Sequence, residues 1–201
     1  MARRKKLPPA QAPAPEPDPR QRLWQNGWGM TMAAFTLAPL RPDGTEPTAE
    51  GVRVWFEPPR HGWLFPHVEL VGCGEFVCRA SDVEGDFLGD LIGALRGVLS
   101  GDGPTRAEAF GEPQSFDFRF TRAGGIRCEV VAYNKFAEPV VEEPVLTLAS
   151  DGDGVCRAFC FGIQELHRAV AGGPWGYAHP FPTDALAGLC AALGGEFAGV
   201  G

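Results

Sequence analysis

The chain has 201 residues, a formal net charge of −7, 44% hydrophobic and 21% charged residues, a balance that can bury one sizeable core and excludes a wholly disordered chain. Glycine (27) and proline (19) are abundant without a collagen-like period, so they read as turn and loop residues or as genomic compositional bias. No stretch of about 18 apolar residues exists, which excludes a membrane-spanning helix.

Residues 1–22 hold six basic residues (Arg3, Arg4, Lys5, Lys6, Arg20, Arg22), two acidic ones and six prolines. Their net charge of +4 leaves −11 for residues 23–201. Such a segment cannot hold helix or sheet, so the expected organisation is a disordered basic Pro-rich tail (1–22) and one domain (23–201). Its basic start meets Leu7-Pro8-Pro9 with no apolar stretch, unlike a secretory signal. The tail is either a basic tether for an anionic surface or inert, the latter including translation from Met30 or Met32.

Met30–Leu37 reads as a first strand, Arg41-Pro42-Asp43-Gly44 as a turn, and the stretch to Glu50 as a loop. Val52–Phe56 is a strand stopped by Pro58-Pro59. Val68–Val71 and Glu75–Arg79 flank Gly72-Cys73-Gly74, a hairpin or glycine bulge. Ser81-Asp82-Val83-Glu84 matches a capping box. Behind it Phe87, Leu88, Leu91, Ile92, Leu95, Val98 and Leu99 recur at helical spacing until Gly101-Asp102-Gly103-Pro104.

Phe116, Phe118 and Phe120 then alternate with Asp117 and Arg119, and Ile126, Cys128, Val130 and Ala132 with Arg127 and Glu129. With Ala123-Gly124-Gly125 between them they predict a hairpin with one wet face. Val145–Ala149 and Val155–Phe161 suggest another, turned by Asp151-Gly152-Asp153-Gly154, which lacks the further ligands of a calcium loop. Gln164–Ala171 reads as a short helix, and Thr183 or Asp184 caps a last one with Leu186, Leu189, Cys190 and Leu193 inward. The order predicts an α+β fold: a mostly antiparallel sheet packed by one long amphipathic helix, with one or two short C-terminal helices.

The chemistry is sparse. Cys73, Cys78, Cys128, Cys156, Cys160 and Cys190 form no C-x-x-C pair, and His61, His67, His167 and His179 do not cluster with them. They read as buried thiols of a reducing cytoplasm, with no metal, cofactor or disulfide framework implied. Nucleophile-elbow, phosphate-loop, dinucleotide and metalloprotease motifs are missing, so no catalytic residue is assigned. Glu142 and Glu143 beside prolines read as solvated loop. An enzyme would need sequence-distant partners, Cys73 or Cys78 with His61 or His67.

The polar side of the predicted long helix carries Asp82, Asp86 and Asp90 in one four-residue row, and Gly85, Gly89, Gly93 and Gly97 in another. This is either a solvated acidic face with biased glycine usage or a thin acidic ridge on which a partner backbone lies. On the second reading Asp82, Asp86, Gly89, Asp90 and Gly93 bind the partner, beside an aromatic edge of Trp63 with Trp55 and His61.

The run Val68-Glu69-Leu70, Phe76 to Asp82, the stripe Phe87–Leu99, Phe116-Asp117-Phe118-Arg119-Phe120 and Ile126–Ala132 has an order that resembles bacterial immunity proteins of the WapI type and related uncharacterised families, over roughly residues 51–170. The resemblance implies an intracellular α+β protein that neutralises a toxin, without catalytic residues. The basic Pro-rich start and the Trp175–Pro182 extension depart from it. A domain of net −11 disfavours direct nucleic-acid binding and steers towards a basic protein partner. The expectation is a cytoplasmic protein-binding module. An enzyme, or a housekeeping protein with no dedicated ligand, is the alternative, and the oligomeric state is left open.

Overall fold

The computed structural model describes residues 20–25, 30–37, 51–137, 139–171, 173–195 and 197. Among these the chain forms β1 (Gln21–Gln25), β2 (Thr31–Leu37), β3 (Val52–Arg60), β4 (Trp63–Leu70), β5 (Gly74–Cys78) and β6 (Ala80–Ser81). There follow α1 (Phe87–Ser100), β7 (Thr105–Gly111), β8 (Gln114–Arg122), β9 (Gly125–Asn134), β10 (Glu142–Asp151), α2 (Gly154–Val170) and α3 (Thr183–Ala192). The fold is mixed α and β with antiparallel pairing, but its strands make two sheets. One has the order β1-β2-β5-β4-β3 with β6 on β4, the other β10-β9-β8-β7.

The aromatic alternation explains how the sheets are joined. Phe116, Phe118 and Phe120 are fully buried on the inner face of β8. The rings of Trp24, Phe76 and Phe116 meet edge to face at 5.5–6.3 Å, so β1, β5 and β8 touch directly. Phe118 lies at the centre: its ring is 6.4 Å from Phe76, 5.4 Å from Phe87 on α1 and 6.2 Å from Phe159 on α2. One side chain therefore links both sheets and two helices.

The helices have 14, 17 and 10 residues, and the longest is not α1 but α2, in the region expected to hold only a short C-terminal helix. Val155–Phe161, expected as a strand, is its first half. Val155, Cys156, Phe159, Cys160, Ile163 and Leu166 are all buried, a three- and four-residue spacing that continues into the segment expected as a short helix. The Asp151–Gly154 turn feeds this helix, with the Ser150 hydroxyl accepting from the Val155 amide at 2.9 Å. Position Pro182, without a side-chain cap, precedes α3, so neither Thr183 nor Asp184 caps it.

The start of α1 also differs. Ser81 sits in β6 opposite Trp63, and its hydroxyl accepts from Val83 N at 3.2 Å, closing a local turn rather than a helix cap. The cap is Asp86, which accepts from Gly89 N at 3.1 Å. At the other end Gly101 adopts φ 84° and closes α1 as read from the sequence.

Several strand boundaries shift for identifiable reasons. β3 continues through Pro58 and Pro59 because it is an edge strand whose register slips between Glu57 and Arg60, so the missing amides break no ladder. β7 has little sequence signal because Ala107 and Ala109 supply its buried side. β1 includes Gln21 and Arg22 of the expected tail, and Trp24 belongs to the core. Translation from Met30 or Met32 would remove that strand. The expected tail over 1–19 and the turn and loop over 41–50 lie outside the described residues.

Candidate functional site

Of the five residues proposed as a partner-binding ridge, only Gly89, Asp90 and Gly93 lie within α1. With α1 beginning at Phe87, Asp82 and Gly85 precede the helix, Asp86 is its cap and Asp90 lies in its first turn. Asp82 accepts from Ala178 N at 2.8 Å, while its own amide donates to Gly62 O at 3.0 Å. Tyr177 donates to Ser81 O at 3.2 Å. Asp82 thus latches the Trp175–Pro182 extension to the β3–β4 turn. A Cβ on Gly89 would meet the capping carboxylate of Asp86, whereas Gly93 faces open space. Trp63 is half-buried in the β4–β6 ladder, and Trp55 stacks on His67 at 4.8 Å.

The Cys78–His67 pair is not assembled either. β4–β5 register puts His67 opposite Val77, so Cys78 points to the other face, where it is 1% exposed. Burial pushes its thiol well above the ordinary range, away from a reactive thiolate. The His67 ring nitrogens lie 2.6 Å from Glu75 and 3.2 Å from Glu57. Among the described residues no three His, Cys, Asp or Glu side chains are placed to hold a metal ion. No helix among the described residues is long and apolar enough to cross a membrane.

A different constellation occupies the outer face of the second sheet. In strand alternation Asp117 should face water, yet it is 0% exposed. Register explains this. Glu108 stands opposite Asp117 across β7–β8, and Arg106 stands opposite Arg119, which in turn faces Glu129 across β8–β9. Arg119 donates from Nε to Asp117 Oδ2 at 2.9 Å and from both terminal nitrogens to Glu142, at 2.8 and 2.6 Å. Arg106 approaches the same Asp117 oxygen at 3.5 Å. The charge-assisted bonds to Glu142 and then Asp117 raise the Arg119 pKa, and the Arg119 bond lowers that of Glu142. Lys135 lies 3.3 Å from Glu108. Burial, then a hydrogen bond with Glu108, pushes the Tyr133 hydroxyl up.

Beside this network lies an open cleft of about 370 Å³ lined by Arg106, Asp117, Arg119, Thr121, Arg127 and Glu129. Arg119 is occupied by its two carboxylates. Arg106 and Arg127 are 69% and 55% exposed and each makes one long ion contact, to Asp117 at 3.5 Å and to Glu129 at 3.3 Å. Each guanidinium carries five N–H donors, so both retain donors for a ligand. The other oxygen of Asp117, Oδ1, is buried without a hydrogen-bond partner.

Sequence alternation located Asp117, Arg119, Arg127 and Glu129 on one face but not the cleft. One rim comes from β7, which was not foreseen, while Glu142, expected in a loop, is found in β10 and completes the ion network beside the cleft. Glu142 and Glu143 are adjacent on that strand and diverge, the second pairing with Arg22. The available signal was the Asp117–Arg119 spacing of two, which puts both on one side of a strand. Comparison of the chain with protein-family models, curated proteins and solved structures finds no match.

Proposed function

We propose that this chain is a non-enzymatic protein-binding module, immunity-like in action, whose recognition surface is the polar outer face of the β7–β10 sheet. The observation that carries the reading is the buried Asp117, which holds Arg119, which holds Glu142 by two bonds. Charges spanning neighbouring strands are fixed before any partner arrives, so little side-chain freedom is lost on docking. The net charge of −7 favours encounter with a partner of net positive charge, and the order of elements resembling WapI-type immunity proteins makes a basic toxin the natural candidate. A cytoplasmic location fits six cysteines that all remain thiols, including Cys160 and Cys190 with sulfurs 3.5 Å apart.

The test uses wild-type protein and the double charge reversal Glu129→Lys/Glu142→Lys, which removes acidic groups from this face, as baits in native-host lysate. The expected result is a basic protein retained by the wild type, lost with the variant and progressively released by salt. Equal recovery by both baits, or recovery of nothing at low salt, overturns the reading.

A further inference from the structure

We infer that the Arg106–Arg127 cleft is an oxyanion subsite, built to take a carboxylate or phosphate group, with Asp117 as the residue that positions it. This deepens the reading of the sheet face as a recognition surface, since it names the chemistry accepted there. Three observations carry it. Two half-exposed guanidiniums line one cleft, with only long contacts to protein carboxylates. Thr121 lies between them in the lining and adds a hydroxyl donor. Behind them, Asp117 is fully buried and its Oδ2 takes Arg119 Nε at 2.9 Å with Arg106 3.5 Å away, so the carboxylate sets the guanidiniums beside the cleft. Arginine suits this role because its planar fork matches both carboxylate and phosphate oxygens.

The source of the oxyanion is either an acidic side chain of a protein partner or a phosphate group, and two probes separate them. Inorganic phosphate and N-acetyl-glutamate amide are titrated into the full chain while backbone amide resonances of β7–β9 are followed. The expected result is saturable millimolar binding of at least one probe, with shifts centred on Arg106, Thr121 and Arg127. The tighter probe identifies the source. Arg127→Gln, a change at an exposed side chain, weakens binding about tenfold, the worth of one charge-assisted hydrogen bond. Arg53→Gln, on the other sheet, leaves it unchanged.

Asp117→Asn separates positioning from simple electrostatics. Removing a negative charge beside an anion strengthens binding if the carboxylate acts only through its field, and weakens it if the carboxylate sets the arginines. Absence of saturation with both probes, or equal binding by Arg127→Gln, overturns the subsite. If the charge-reversed bait nevertheless loses its partner, the recognition-face reading stands without the subsite. If a probe binds and both baits retain the same proteins, the subsite stands and that reading falls.

Discussion

Arg119 and Glu142 show how a pair of exposed groups is made to count. The bidentate contact depresses the Glu142 pKa, so the carboxylate favours the folded state in its charged form. With a folded pKa below the unfolded one, the stabilisation is present above the ordinary carboxylate range and lost as pH falls through the folded value. Glu142→Gln is therefore expected to lower the denaturant midpoint at pH 7 and to lower it less at about pH 3, below the ordinary carboxylate value, where part of the stabilisation is already lost. Equal loss at both pH values would show that the side chain acts by packing instead. Asp117 was the residue least legible in sequence. Its neighbours Phe116 and Phe118 marked it as outward, and only cross-strand partners from β7 and β9 explain why an outward carboxylate is covered.

Helices α1 and α2 illustrate what a glycine in a helix does and does not imply. Gly93 on α1 has open space where a Cβ would stand, whereas a Cβ on Gly162 of α2 would collide with the Val54 carbonyl of edge strand β3. Gly176, in the loop after α2, is likewise pressed on β3, with 2.8 Å between its ideal Cβ and Pro59 O. Gly93→Ala is expected to raise stability by up to about 1 kcal/mol. Gly162→Ala, with the same propensity gain, is expected to lower it by about 1–3 kcal/mol through overpacking. Thermal or urea melts of the two variants check both signs. The apolar stripe of α1 was legible because period outlasts boundary errors, and all but Leu99 of its expected residues are buried. Its start was not, since Ser81 with Glu84 satisfies a capping-box pattern that β-pairing with Trp63 pre-empts. α2 was split in two because its Val, Phe and Cys content looks extended when read in short windows.

The whole molecule keeps its reactive sulfur inside. Five of the six cysteines are buried, and burial pushes the Cys160 and Cys156 thiols up to about 12. Native-state alkylation at pH 8 followed by mass spectrometry is expected to modify Cys73 alone, the other five reacting only after denaturation. Rapid labelling of Cys160 or Cys190 would contradict the packing of α2 against α3. Sequence pattern captured the antiparallel α+β character and most inward faces, because alternation and helical period are local. It could not place one sheet against the other, because that depends on rings such as Trp24 and Phe116 that no local pattern connects.

That distance along the chain has a consequence for biosynthesis. Arg22 of β1 pairs with Glu143, 121 positions later, and Asp82 takes its amide from Ala178, 96 positions later. A nascent polypeptide leaves the ribosome with its N-terminal strand already made and the strands and loop that fix it still untranslated. β1 is thus synthesised first yet secured late, and the first sheet waits with Trp24 uncovered until β8 emerges.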